Sequence, residues 1–147
     1  MNREMIHKSI EIDAPRDDVW QVLTTPVHAG IWMSEFSKGS RVDGEFGPGE
    51  TLYFRNGEGD GLRGKVTTWA LSERLKVSYD GVLVKGVETP DSPENAEWNG
   101  CFDAYELSAN GEKTILAIES FVPGEYVEAT SELWDKAIQK IKDLSEN

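Results

Sequence analysis

The chain has 147 residues, 38% of them hydrophobic and five of them Trp, which is enough for one folded unit with a proper core. It carries 15 Lys and Arg against 27 Asp and Glu, a formal net charge of -12. That balance excludes a nucleic-acid backbone or an anionic membrane surface as partner, because both require clustered basic side chains. Met5 to Ile12 alternates, with Ile6, Lys8, Ile10 and Ile12 on one face and His7, Ser9 and Glu11 on the other. This is a strand pattern in which only Lys8 departs from an apolar face. Asp13-Ala14-Pro15 stops it. Pro15 at a first helical position, with Asp17 and Asp18 in the first turn, predicts a short helix that buries Val19, Trp20, Val22 and Leu23. Pro26 opens a second short helix to about Met33, whose buried end reads as Ile31, Trp32 and Met33.

From Ser40 the punctuation is that of antiparallel sheet. Gly44, Gly47-Pro48-Gly49, Asn56-Gly57, Asp60-Gly61, Asp80-Gly81 and Asn110-Gly111 are turn signals. Strands are predicted between them over 51–55, 62–71, 75–79, 98–107 and 113–122. Val87 to Glu97 is polar, holds two prolines and reads as a long excursion. From Gly124 the chain turns helical: Val127, Trp134, Ala137, Ile138, Ile141 and Leu144 form one apolar stripe. Glu125 and Glu128 at its start and Lys140 and Lys142 near its end suit the helix dipole. The order is one strand, two short helices, about six more strands and a long helix, an α+β arrangement with helices segregated from the sheet.

Strand parity selects the side chains that face the final helix. Leu52 goes with Phe54, Val77 with Tyr79, Asp103 with Tyr105, and Ile118 with Ser120. Trp134 on the helix stripe and Trp32 at the end of the second short helix complete a mostly apolar wall with few polar points, the make-up of a small-molecule pocket. Tyr79 and Tyr105 also read as core aromatics whose hydroxyls reach solvent or backbone. Asp103, if buried, acquires a raised pKa and serves as a base or a polar anchor; otherwise a bulge turns it outward or a neighbouring Lys or Arg pairs with it. Ile115, Ala117 and Phe121 fall on the outer face of the last strand, where they offer a homodimer or protein-partner surface.

No catalytic constellation emerges. His7 and His28 are the only histidines, neither is part of an HExxH motif, and a lone Cys101 makes neither a CxxC pair nor an internal disulfide. The glycines at 57, 59, 61 and 64 lack the Lys-Ser/Thr of a phosphate loop and read as turns. No metal and no cofactor is expected. The N-terminal MNREMIHKSIEIDAP has no apolar signal segment, and no apolar run approaches the ~20 residues of a membrane span, so the expectation is a cytoplasmic chain with no membrane partner.

The segments IEIDAPRDDVWQVLT, Ile31-Trp32-Met33, GPGETLYF, RGKVTTWALSERLKVSY, KTILAIES and LWDKAIQKIKDL, in this order and spacing, resemble the START-like superfamily, also called helix-grip or SRPBCC. Within it the chain is most similar to the branch of activator-of-heat-shock-protein-ATPase homologues. The resemblance implies one domain over residues 1–147, with a curved antiparallel sheet of about seven strands wrapped around the long C-terminal helix. It further implies an interior cavity for a small apolar or amphipathic molecule. Relatives of this kind include lipid carriers, polyketide cyclases and plant hormone receptors, and some assist a chaperone. The connection from Tyr79 to Trp98 is longer than such relatives carry. Three readings follow: a binding protein whose cavity wall is Trp32, Leu52, Phe54, Val77, Tyr79, Asp103, Tyr105, Ile118, Ser120 and Trp134; a cyclase or dehydratase using Asp103, a Tyr or His28; and an interaction module with a filled interior. The first leads.

Overall fold

The computed structural model describes residues 2–147. Its elements are β1 (Arg3–Ile12), α1 (Arg16–Thr24), α2 (Pro26–Met33), β2 (Arg41–Asp43), β3 (Thr51–Arg55), β4 (Gly61–Ala70) and β5 (Arg74–Val84). They continue with β6 (Val87–Glu88), α3 (Pro93–Trp98), β7 (Phe102–Asn110), β8 (Lys113–Pro123), a 3-10 turn (Gly124–Tyr126) and α4 (Val127–Glu146). The strands form one sheet in the order β1-β8-β7-β5-β4-β3-β2, with β6 added beside β5. All of its pairings are antiparallel. The fold is α+β, with an open curved sheet and a long C-terminal helix.

Alternation decides the two faces. On β8 the even residues Thr114, Leu116, Ile118, Ser120 and Val122 are buried, whereas Lys113, Ile115 and Glu119 are exposed. The β4–β5 ladder slips between Arg63 and Gly64 and again between Val66 and Thr68, and such bulges bend and twist a sheet. Asp80-Gly81, read from sequence as a turn, lies inside β5 beside the first of these slips. The dipeptide marks a backbone irregularity, and the strand runs on through it to Val84.

Three other expectations change. Pro15 precedes α1 as its cap residue instead of opening its first turn. Of the expected buried end of α2, Trp32 is buried, Met33 is half-buried and Ile31 is exposed, while Ala29 joins Trp32 in the core. Trp98 does not begin a strand; it ends α3, a helix inside the polar excursion whose Ser92 hydroxyl accepts the Asn95 backbone N–H at 3.1 Å.

α4 buries Trp134, Ala137, Ile138 and Ile141. It packs most closely on β1, α1 and α2. Lys8, the off-pattern residue of β1, reaches Asp135 of α4 at 2.7 Å. Further along, the Asp13 N–H donates to Glu146 at 2.8 Å and Lys142 donates to the Glu11 carbonyl at 3.2 Å. Beyond this seam the Trp134 ring reaches across, meeting Tyr105 of β7, Trp32 of α2 and Phe36 at centroid separations of 6.1, 6.0 and 4.8 Å. Trp134→Ala removes a buried ring that joins α4 to these elements, and we expect a loss of about 3–5 kcal/mol. Urea denaturation checks this; an unchanged midpoint contradicts the placement.

Candidate ligand-binding cavity

Between the sheet and α4 lies a cavity of about 630 Å³. Its wall includes Trp32, Phe54, Tyr79, Asp103, Tyr105, Ser120 and Trp134 from the set expected by sequence. Leu52, Val77 and Ile118 do not line it: at 0%, 3% and 1% exposure they are core. Parity placed them on the buried face, but they lie deeper in the core than the residues that meet the space. His28 is half-buried on α2 and is not among the lining residues. Cys101 is buried, and desolvation pushes its thiol pKa up, the opposite of nucleophile activation.

The wall is a chain of rings. Phe54 meets Tyr79 edge-on at 5.9 Å, and Trp32, Tyr105 and Trp134 surround one another at 6.0 to 6.3 Å. Gly64 makes room for the first pair. A Cβ there would stand 2.7 Å from Val77, 3.2 Å from the Phe54 ring and 3.3 Å from Tyr79.

A hydrogen-bonded polar cluster lies within the aromatic surface. Asp103 of β7 stands opposite Ser120 of β8 and Val77 of β5, which places Tyr79 on its diagonal. The Tyr79 hydroxyl donates to Asp103 Oδ2 and the Ser120 hydroxyl to Oδ1, each at 2.5 Å. Among the described residues no Lys or Arg forms an ion pair with Asp103. Burial raises the Asp103 pKa, and the two hydroxyl donors offset part of that rise. Burial, reinforced by the Asp103 charge, pushes Tyr79 and Tyr105 well above the usual tyrosine range, so both remain neutral.

Sequence reasoning missed the two ends of the cavity. At one, Arg41 and Arg55 line the wall, and both are tied to Asp43, Arg55 Nε at 2.8 Å and Arg41 Nε at 3.3 Å. At the other, Trp98 stacks on Tyr126 at 5.6 Å. Arg3 holds α3 there by donating to the carbonyls of Ala96, Glu97 and Asn99. A signal for this end was present: Tyr126, Thr130 and Trp134 recur at four-residue steps, and all three line the cavity. Among the described residues, no group of three or more His, Cys, Asp or Glu gathers where it could hold a metal.

The Asp103 site has a consequence for stability. Its folded-state pKa lies above the ordinary aspartate value of 3.8, so between those two values the native state binds more protons than the unfolded chain. Stability contributed by the neutral carboxyl is therefore full below that window and is lost as pH rises through it. Asp103→Asn is a neutral stand-in that can accept from one hydroxyl and donate to the other. The variant should melt above the parent at about pH 8, with the difference closing toward about pH 4. Thermal unfolding across that range checks it; a variant less stable by a constant amount at every pH contradicts it.

The fold recurs in proteins of known structure. MLL2253 from Mesorhizobium loti superposes with a TM-score of 0.76 at 14% identity, covering 96% of each chain. The Aha1 dimer from Colwellia psychrerythraea gives 0.74 at 20%, covering 97% of this chain and 96% of that one. DynU16, a protein of the dynemicin biosynthetic locus, gives 0.66 at 19%; 95% of this chain is covered, and it spans 46% of that protein. These identities establish likeness of fold alone. No curated protein matches the sequence. The family of the activator of Hsp90 ATPase homolog 1-like proteins matches residues 13–146, and the chain belongs to that family.

Proposed function

We propose that this protein binds a small, largely apolar or aromatic molecule in the cavity between its sheet and α4. The observation that carries the reading is the cavity itself. Its volume of about 630 Å³ falls inside the roughly 300–1,000 Å³ typical of small-molecule sites. Its wall combines ring surface with polar groups, among them the Tyr79–Asp103–Ser120 cluster, which is how such sites combine affinity with orientation. The origin of DynU16 in a biosynthetic locus supports a small-molecule role for the shared fold. The proposal takes the chain as cytoplasmic, in keeping with its unpaired Cys101. No described helix is long and apolar enough to cross a membrane.

A second reading concerns self-association through the outer face of β8. Phe121 there stacks on Phe102 of β7 at 5.5 Å and faces Met5 of β1 in register, and Met5 is exposed. Ile115 stands apart, because the exposed Glu119 and half-buried Ala117 lie between it and Phe121. The patch and the dimeric Colwellia psychrerythraea relative support pairing with a second copy through Phe121, Ala117 and Ile115.

The neutral probe N-phenyl-1-naphthylamine tests the cavity. We expect micromolar binding, about -8 kcal/mol, with quenching of Trp emission because Trp32 and Trp134 stand in the wall. Thr130→Trp adds a large ring to the wall from α4 and should abolish the signal while circular dichroism stays native. Failure of the parent protein to bind this probe or any member of a broad apolar panel overturns the reading.

A further inference from the structure

We infer that the cavity selects organic cations, an aromatic ring carrying an ammonium group, which Asp103 receives. The inference rests on the ligand-binding reading above and gives it a chemical class. The geometry points to it in three steps. First, of the two acidic residues that line the cavity, Asp60 already accepts the Lys85 backbone N–H at 2.8 Å, whereas Asp103 lies among the rings, on the strand between Tyr79 of β5 and Ser120 of β8. Its two hydrogen bonds come from hydroxyls, and hydroxyls carry no charge to balance a carboxylate. A carboxylate has about four acceptor positions, and these two donors leave the others for a third partner. A buried charge is stabilised best by an opposite charge with hydrogen bonds of its own, which an ammonium supplies.

Second, the rings around it suit the same ligand. Phe54, Tyr79, Tyr105 and Trp134 line the same cavity as Asp103. A cation held near such rings gains from their quadrupoles, most strongly where water is excluded. Third, the basic groups of the cavity are already matched. Arg41 and Arg55 both engage Asp43, and Arg55 also donates to the Gly86 carbonyl at 3.3 Å. An anionic ligand would have to compete with Asp43 for those guanidiniums and then lie in a cavity shared with Asp103. A cation meets a carboxylate that has no ionic partner.

Three probes of one shape test the inference: 1-naphthylmethylammonium, 1-naphthylmethanol and 1-naphthoate, each titrated against the full chain by Trp quenching. The titrations are run in about 0.15 M salt, where the field of the acidic surface is screened beyond roughly 8 Å. The native protein should bind the ammonium at least about ten-fold more tightly than the alcohol, with the carboxylate weakest. Asp103→Asn should remove that preference, bringing the ammonium to within about two-fold of the alcohol in the same variant. Glu119→Gln removes an acidic charge from the outer face of β8 and should keep the preference, and a native circular dichroism spectrum of Asp103→Asn guards against loss of selectivity through misfolding. Equal affinities for ammonium and alcohol in the native protein overturn this inference while the cavity reading stands. A preference that survives Asp103→Asn also overturns it, because it then comes from another charge, the surface or Asp60. Failure of all three probes overturns both readings.

Discussion

The packing of one helix on a sheet too wide for it governs this structure. Strands lie about 4.8 Å apart, so the path from β1 to β2 spans roughly 30 Å, whereas a helix with its side chains is only about 10–12 Å across. α4 therefore commits to one side. It lies against β1, α1 and α2, fastened by Lys8–Asp135 and by the contacts of Lys142 and Glu146 with the end of β1. The concave surface beyond β8 must then be covered by side chains. Trp134 is the longest reach available from the helix, and Trp32 and Phe36 meet it from the α2 side. What these rings leave uncovered is the cavity, so open space in the interior follows from the ratio of helix to sheet.

That space is the setting for Asp103. A carboxyl among aromatic rings is costly when charged, and replacing such groups with apolar ones is often neutral or stabilising. Here the site is supported instead. Ser120 comes from the strand on one side and Tyr79 from the strand on the other, and each supplies a donor to a different carboxylate oxygen. Gly64 on β4 gives Tyr79 and Phe54 the room to stand where they do. A perturbed acid in a cleft, held by neighbours on rigid strands, is the pattern expected of a recognition site.

Periodicity made the framework legible. The alternation of Ile6, Ile10 and Ile12, the inward set of β8 and the stripe of α4 each repeat often enough to fix a face. The inward turn of Asp103 follows from the same parity. Depth did not follow. Leu52, Val77 and Ile118 share faces with Phe54, Tyr79 and Ser120, yet they lie in the core, because parity fixes the face of a side chain and not its depth. The rim was hidden for a different reason. α3 is too short for a helical period to show within a polar stretch, and its only sequence signature is the Ser92-Pro93 start. Trp98 consequently reads as the beginning of a strand. Arg41 and Arg55 are ordinary surface arginines until the fold brings Asp43 between them.

Two apolar surfaces compete as the place where this protein meets its partner: the interior wall and the Met5–Phe121–Phe102 patch on the outer face. The measurement that separates them most directly is an NMR experiment on the protein with a bound naphthalene derivative, recording intermolecular proton–proton contacts. The interior account predicts contacts to the rings of Phe54, Tyr105 and Trp134 and to Thr130 of α4. Contacts confined to Met5, Phe102 and Phe121 would contradict it.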